Sequence, residues 1–228
     1  KKNPSILDDI EEGYKRKQTQ EYIIGCQGVP GAFSEEALSL YFKDYNYKTV
    51  YSSTFEEVLQ NLQDDKVTYG ILPIENSSAG SIVEVYDLIR KYNCYIVGEK
   101  ILKVRHNLLG LQGTKIEDIK EVYSHPQGFS QSSTFLSNHK HWQLLPYYNT
   151  AISAKYVSEA NDKHKAAIAS SRAANLYGLE ILKENINFNI HNYTKFIIVS
   201  KNMSFDDDSN KISMIFSVSH ESGSLYHA

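Results

Sequence analysis

The sequence predicts an α/β fold with mainly parallel strands, and three observations carry that expectation. Apolar runs of strand length recur along the chain, Tyr22–Cys26 and Tyr69–Pro73 first among them. The runs break at clusters of Gly, Ser, Thr, Asn or Pro. Most clusters are followed by segments whose apolar residues repeat at helical rather than strand spacing.

Taken in order, Lys1–Gln20 is polar, with Ile6, Leu7, Ile10 and Tyr14 in a helical rhythm that predicts a short helix or connector. Strand Tyr22–Cys26 runs into the turn Gln27-Gly28-Val29-Pro30-Gly31, and Ser34 opens a helix carrying Ala37, Leu38, Leu40, Tyr41 and Phe42. Thr54-Phe55-Glu56-Glu57 is a capping box, in which hydroxyl and carboxylate satisfy the first free N–H groups of a helix reaching Leu62. Tyr69–Pro73 is a strand, Asn76–Gly80 a turn, and Ser81 with Glu84 caps the helix after it. The alternation continues through Val122–Tyr123, Leu144–Pro146 and Ala166–Ile168. A last strand, Thr194–Ser200, precedes the acidic linker Phe205–Asn210. Lys211–Ser219 then alternates like a new strand, and the chain stops at Ala228, too soon for an independent domain. With Lys1 rather than Met at the start, the sequence reads as an excised fragment.

Composition narrows the function classes. With 228 residues, 41% hydrophobic and 22% charged, the chain has the length and the apolar content for one large or two smaller folded units. A net charge of −3 offers no basic field for nucleic acid or an anionic membrane, so neither is expected as a partner. Apolar runs such as Phe196–Val199 are far shorter than a bilayer span. Two cysteines, Cys26 and Cys94, are too few for a disulfide framework, so a reduced cytoplasm is the expected location.

Five turns that the pattern places between strand and helix are rich in small polar residues: Gly28–Ser34, Asn76–Ser81, Ser124–Gln131, Asn149–Ser153 and Ser170–Ser171. In a parallel α/β sheet such turns gather at the carboxyl ends of the strands, where helix N-termini present unpaired N–H groups to an anion. Any one of them is equally a set of ordinary helix caps. No His/Cys cluster has metal-ligand spacing, and Gly28-Val-Pro-Gly31 matches neither the dinucleotide fingerprint nor the phosphate loop. His125, before Pro126, is either a turn-stabilising residue or an acid–base group. Glu75 is either a buried structural carboxylate or a proton donor.

As strings, the same turns resemble the motifs of the prephenate dehydratase family. Gln27-Gly-Val-Pro-Gly-Ala-Phe-Ser34 is similar to its first Gly-rich loop, and Pro73-Ile-Glu-Asn-Ser-Ser-Ala-Gly80 to its Pro-Ile-Glu-Asn loop. Ser124-His-Pro-Gln-Gly-Phe-Ser-Gln131 resembles the His-Pro-Gln segment, and Asn149-Thr-Ala151 and Ala166-Ala-Ile-Ala-Ser-Ser171 two further blocks. Asn192-Tyr-Thr-Lys-Phe196 resembles the Asn-x-Thr-Arg-Phe signature, with Lys195 where the family has Arg. The motifs stand in the family's order from Tyr22 to about Ser200.

The resemblance implies two α/β subdomains around a cleft, similar to type II periplasmic binding proteins. It implies a connector over 1–21, a catalytic domain over 22–200 and a linker over 201–210. Subdomain 1 is 22–98 plus 190–200, and subdomain 2 is 102–187. The chain then crosses near Gly98–Leu102 and returns near Ile190–Thr194. Residues 211–228 resemble the opening of a small ACT regulatory domain, truncated here, with Gly223, Ser224 and Leu225 as part of an effector site. Phenylalanine is expected as effector only where that domain is complete, and a homodimer or tetramer is expected of the full-length protein. The connector suits a junction with an upstream chorismate mutase.

The implied reaction removes carbon dioxide and water from prephenate, driven by aromatisation, and needs no cofactor and no metal. Thr194 is implied as the residue nearest the leaving hydroxyl, with Asn76, Ser124 and Gln131 as the other catalytic residues. Ser77, Thr150, Ala151, Ser170, Lys195, Phe196 and Gly31 are implied in substrate binding. Lysine at 195 keeps the charge of arginine and loses its planar fork. Two alternatives stay open: arogenate dehydratase, and a non-catalytic small-molecule sensor on the same fold.

Overall fold

The computed structural model describes residues 18–203, 210–214, 221 and 226. The expected helix over Lys1–Gln20 falls mostly outside them, as do Gly223, Ser224 and Leu225.

The chain begins with β1 (Glu21–Gln27), α1 (Phe33–Tyr41), β2 (Asn46–Ser52), α2 (Phe55–Gln63) and β3 (Tyr69–Asn76). A two-residue strand, β4 (Gly80–Ser81), folds back on β3 before α3 (Val83–Tyr92) and β5 (Tyr95–Lys103). Residues 104–106 cross to a second sheet, made of β6 (Asn107–Gly110), β7 (Glu121–Ser124), β8 (Gln143–Pro146), β9 (Lys165–Ala169) and β10 (Glu180–Lys183). Its helices are α4 (Pro126–Gln131), α5 (Ser133–Leu136), α6 (Thr150–Ala160) and α7 (Ser171–Tyr177). Residues 184–192 return the chain to β11 (Tyr193–Ser200), which inserts between β3 and β5. Strand orders are β2-β1-β3-β11-β5, with β4 on β3, and β10-β6-β9-β7-β8.

The two sheets are mixed, which corrects the expectation of mainly parallel strands. The pairings β1–β2, β1–β3, β7–β8 and β7–β9 are parallel. The pairings β11–β3, β11–β5, β6–β9, β10–β6 and β3–β4 are antiparallel. The reason is the double crossing: β11 enters from the second sheet and runs against both neighbours.

Strand alternation covers both faces of each sheet. In β3 and β11, Leu72, Ile74, Ile197 and Val199 pack with α2 and α3, while Ile71, Phe196 and Ile198 pack with Ala37 and Leu38 of α1 and with Phe42 at its end. In the second sheet Leu109, Ala167 and Ala169 meet Ala154 and Val157 of α6 and Ala173 of α7. Leu108, Val122 and Ile168 meet Leu136 and Trp142 on the other face. Among the described residues no helix is long and apolar enough to cross a membrane.

Two local expectations are corrected. The turn after Asn76 is a hairpin into β4, so Ser81 caps nothing; Ile82, with no side-chain oxygen, holds the cap position of α3. Ser34 lies inside the first turn of α1 rather than before it, because Glu35 folds back to accept from the Gly31 N–H at 2.7 Å. The expected strand Lys211–Ser219 lies mostly outside the described residues, of which only Lys211–Met214 are seen, in no regular element. The capping site at Thr54 is present: its hydroxyl accepts from the Glu57 N–H at 3.1 Å, while Glu57 reaches Ser53 N–H at 2.6 Å.

Candidate active site

Thr194 is the second residue of β11 and pairs with Asn76, the last residue of β3. Both side chains are buried, and Asn76 Nδ2 donates to Thr194 Oγ1 at 2.9 Å. The direction of that bond follows from backbone. Asn76 Oδ1 accepts from the N–H groups of Ser78 and Ala79, each at 2.9 Å, so the NH2 end of the amide must face Thr194. A hydroxyl oxygen that accepts from an amide turns its own hydrogen elsewhere, and among the described residues the Thr194 hydroxyl meets no acceptor.

The amide network continues into the second sheet. Asn76 Nδ2 also donates to Asn192 Oδ1 at 2.9 Å, and Asn192 Nδ2 donates to Gln131 Oε1 at 2.9 Å. Gln131 ends α4, so this chain of amides joins the halves of the molecule. Three residues earlier on the same buried face, Gly128 lets α4 sit against Ser124 and Thr150. A Cβ there would run into the Ser124 hydroxyl and lie 3.5 Å from the Thr150 methyl. The Ser124 hydroxyl itself donates to Ile168 O at 2.9 Å.

A second contact lies between α1 and α7. Ser170 caps α7, accepting from the Ala173 N–H, and donates to Gly31 O at 3.3 Å. Gly31 has φ +87°, and a Cβ there would lie 3.3 Å from the Ala173 backbone, so only glycine allows this approach. Beside it Arg172 Nε bonds Glu35 Oε2 at 3.0 Å, and Tyr177 Oη donates to Pro30 O at 2.7 Å. Burial pushes the Glu35 carboxyl up; the bonds from Arg172, Gly31 N–H and Tyr51 outweigh it and hold it below its ordinary range.

The residues expected at the site therefore fall into distinct places. Asn76 joins Thr194 directly and Gln131 through Asn192, Ser124 and Thr150 border α4 at Gly128, and Gly31 with Ser170 form a separate contact. The Ser77 hydroxyl is occupied on both sides, donating to His191 O and accepting from the Tyr193 N–H. Ala151 is wholly buried and offers its first-turn N–H, which no carbonyl of its own helix can accept. Phe196 packs into the core against α1. Lys195 leaves β11 half-exposed and stands 3.9 Å from Glu75.

Glu75 is exposed, which overturns its reading as a buried structural carboxylate; His125 caps α4, its Nδ1 accepting from the Gln127 N–H at 3.2 Å. Cys26 is wholly buried in the core, and burial, with the Glu35 charge adding, pushes its thiol up to about 12. A cavity of about 280 Å³ opens at the crossings, lined by Lys103, Arg105, Asn185, Asn187 and Asn189 among others. None of the expected residues lines it. Asn187 bonds His106 N–H and Val104 O, and Asn189 bonds Ser78, so these amides hold the crossings together.

Sequence reasoning missed four participants. Asn192 opens the Asn-x-Thr signature, yet nothing in the sequence marks it as the link between Asn76 and Gln131. His106, which bonds Gln131 Oε1 at 2.8 Å, lies in no motif. Arg172 and Glu35 are 137 positions apart, and only the fold pairs them.

The family model for prephenate dehydratase matches residues 24–204. The chain is 42% identical over 207 residues to an arogenate dehydratase/prephenate dehydratase of Arabidopsis thaliana, covering 90% of this chain and 52% of that protein. It is 36% identical over 203 residues to a bifunctional chorismate mutase/prephenate dehydratase of Buchnera aphidicola, covering 87% and 52%. The chain thus spans about half the length of these relatives. Among solved structures, a prephenate dehydratase from Staphylococcus aureus superposes with a TM-score of 0.71 at 28% identity, covering 80% of this chain and 67% of that one.

Proposed function

The chain belongs to the prephenate dehydratase family, and from that premise we propose that it converts prephenate to phenylpyruvate, carbon dioxide and water. The bond between the ring and its carboxylate breaks, and its electron pair moves through the ring to expel the 4-hydroxyl. The departing hydroxide takes up one proton and leaves as water. Aromatisation drives the elimination, so the protein's task is to hold the dianion, exclude water and donate a hydrogen bond where charge develops.

One observation carries the reading. The Asn76 amide donates into the Thr194 oxygen, so the Thr194 hydrogen is free for the leaving hydroxyl. Threonine is too weak an acid to act by full proton release, and donates or relays instead. Gln131 and the first-turn N–H groups of Thr150 and Ala151 are the proposed carboxylate donors, with Ser170 and Gly31 closing the other wall. Lys195 adds positive charge beside Glu75. Ser124 ties β7 to β9, Ser77 holds the hairpin and Phe196 holds β11 against α1.

The second reading is arogenate dehydration, favoured by the name of the Arabidopsis relative. The two substrates differ only in a keto or amino group on the side chain. Incubation with each at neutral pH decides between them. Phenylpyruvate from prephenate is the expected product; phenylalanine from arogenate alone would support the second reading. No turnover of either would leave a binding protein. Where a complete ACT domain follows, we infer phenylalanine as its effector and a homodimer or tetramer as the assembly. Two free cysteines support a reduced compartment such as the cytoplasm.

A further inference from the structure

We infer that His106 is a positioning residue, which fixes the Gln131 side-chain amide so that its NH2 group is turned out of the network and toward the ligand. The inference rests on the functional reading only in assigning that ligand; the orientation itself rests on bonds already described.

Backbone donors at one end of the network admit one direction only. Ser78 and Ala79 N–H groups fix Asn76 Oδ1, which turns Asn76 Nδ2 toward Asn192. The atom of Asn192 facing that NH2 must be its oxygen, so its nitrogen faces Gln131. The atom of Gln131 facing that nitrogen must be Oε1. His106 Nε2 lies 2.8 Å from the same oxygen and can only donate to it. The ring therefore carries its proton on Nε2. A proton on Nδ1 instead would set the Nε2 lone pair against the Gln131 oxygen. It would also bury an N–H with no acceptor, since Nδ1 meets no partner among the described residues.

The ring has little freedom to do otherwise. His106 is 3% exposed, and Phe33 of α1 meets it edge-on at 5.6 Å. Its backbone N–H donates to Asn187 Oδ1 at 2.6 Å and its carbonyl accepts from the Ile186 N–H at 2.8 Å, so the return crossing clamps its backbone on both sides. Burial lowers the imidazole pKa, against the opposing bond to Gln131, and keeps the ring neutral. With Oε1 held by two donors, Gln131 Nε2 forms no bond among the described residues and is left as a donor for a carboxylate or carbonyl oxygen.

Two measurements test this. Long-range proton–nitrogen NMR of the wild-type chain at neutral pH should show the His106 ring protonated at Nε2 and bare at Nδ1. A ring protonated at Nδ1 alone overturns the inference, whether or not the protein is active. With prephenate, or arogenate if that is the substrate, His106→Leu should lower turnover about tenfold, the weight of one lost orienting hydrogen bond. His106→Gln, which keeps an N–H donor, should recover most of the rate. In a Gln131→Leu background, His106→Leu should cost nothing further. Equal losses in both backgrounds would show that His106 acts by some other route and would overturn the assignment. Failure of the wild-type chain to turn over either substrate would instead sink the proposed function, while the NMR result still decides the orientation.

Discussion

The inner joint between the halves of the molecule runs through Asn76, Asn192, Gln131 and His106, all buried, whereas the outer joint runs through Glu35 and Arg172, with Arg172 38% exposed. The inner joint is built of neutral amides whose donors and acceptors are ordered by backbone N–H groups at one end. The outer joint is an ion pair beside two single bonds to carbonyls. Buried neutral hydrogen bonds are unscreened and unforgiving of reversal, because a flipped amide leaves unpaired groups out of reach of water. A half-exposed ion pair is screened and worth about 0.2–1 kcal/mol. The difference teaches that one joint can fix the direction of a proton and the other can only favour closure.

The largest expected effect lies at the inner joint. Thr194→Val is nearly isosteric, and turnover should fall by about two to three orders of magnitude with little change in KM, the scale of losing one transition-state donor. Thr194→Ser should restore much of the rate. Near-normal turnover in folded Thr194→Val would break the comparison, by showing that the inner joint merely holds the halves together. Lys195→Ala sharpens it from the side. Removing a half-exposed charge should raise KM at least as much as it lowers turnover, by about tenfold.

The outer joint should answer differently. Arg172→Ala should raise KM by no more than about fivefold and leave turnover within about twofold, with the difference shrinking as salt is added. A salt-independent collapse of turnover would place chemistry at the outer joint. The pH dependence has a definite sign. Glu35 is held below its ordinary value, so its share of the closure is present above the unfolded carboxylate range and is lost as pH falls through the folded value, below about 4.5. Hydrogen exchange at Gly31 should rise in that window in the wild type and be high throughout in Arg172→Ala. Smallest of all, His125→Ala should cost about 1 kcal/mol of stability, as a lost helix cap, with turnover within about twofold. A large loss of turnover would make His125 an acid–base group after all.

Much of the inner joint was legible because its residues sit where turn chemistry and motif coincide. Asn76 and Thr194 end one strand and begin another, and Gln131 closes the helix after Ser124. The rest needed tertiary structure. His106 lies on a three-residue crossing with no motif, and its role exists only because two strands and α4 converge on it. Strand direction was not legible, since β11 alternates identically whichever way its neighbours run. Asn46–Ser52 was missed as a strand because an edge position leaves it only half-buried, without an apolar run. Ser81 looked like a helix cap because Ser-x-x-Glu is a capping pattern, yet pairing with Glu75 holds it in the hairpin.

The central claim is that Asn76 directs the Thr194 proton outward, and Asn76→Asp tests it most directly. The substitution keeps the oxygen that accepts from Ser78 and Ala79 and replaces the NH2 facing Thr194 with an acceptor. A carboxylate oxygen there draws the Thr194 hydrogen back toward β3 and away from the substrate. In protein that retains a cooperative melt, turnover of prephenate should fall about as far as in Thr194→Val, by roughly two to three orders of magnitude, and adding Thr194→Val should cost little more. Turnover near wild type in folded Asn76→Asp, or losses that multiply in the double variant, would contradict the account.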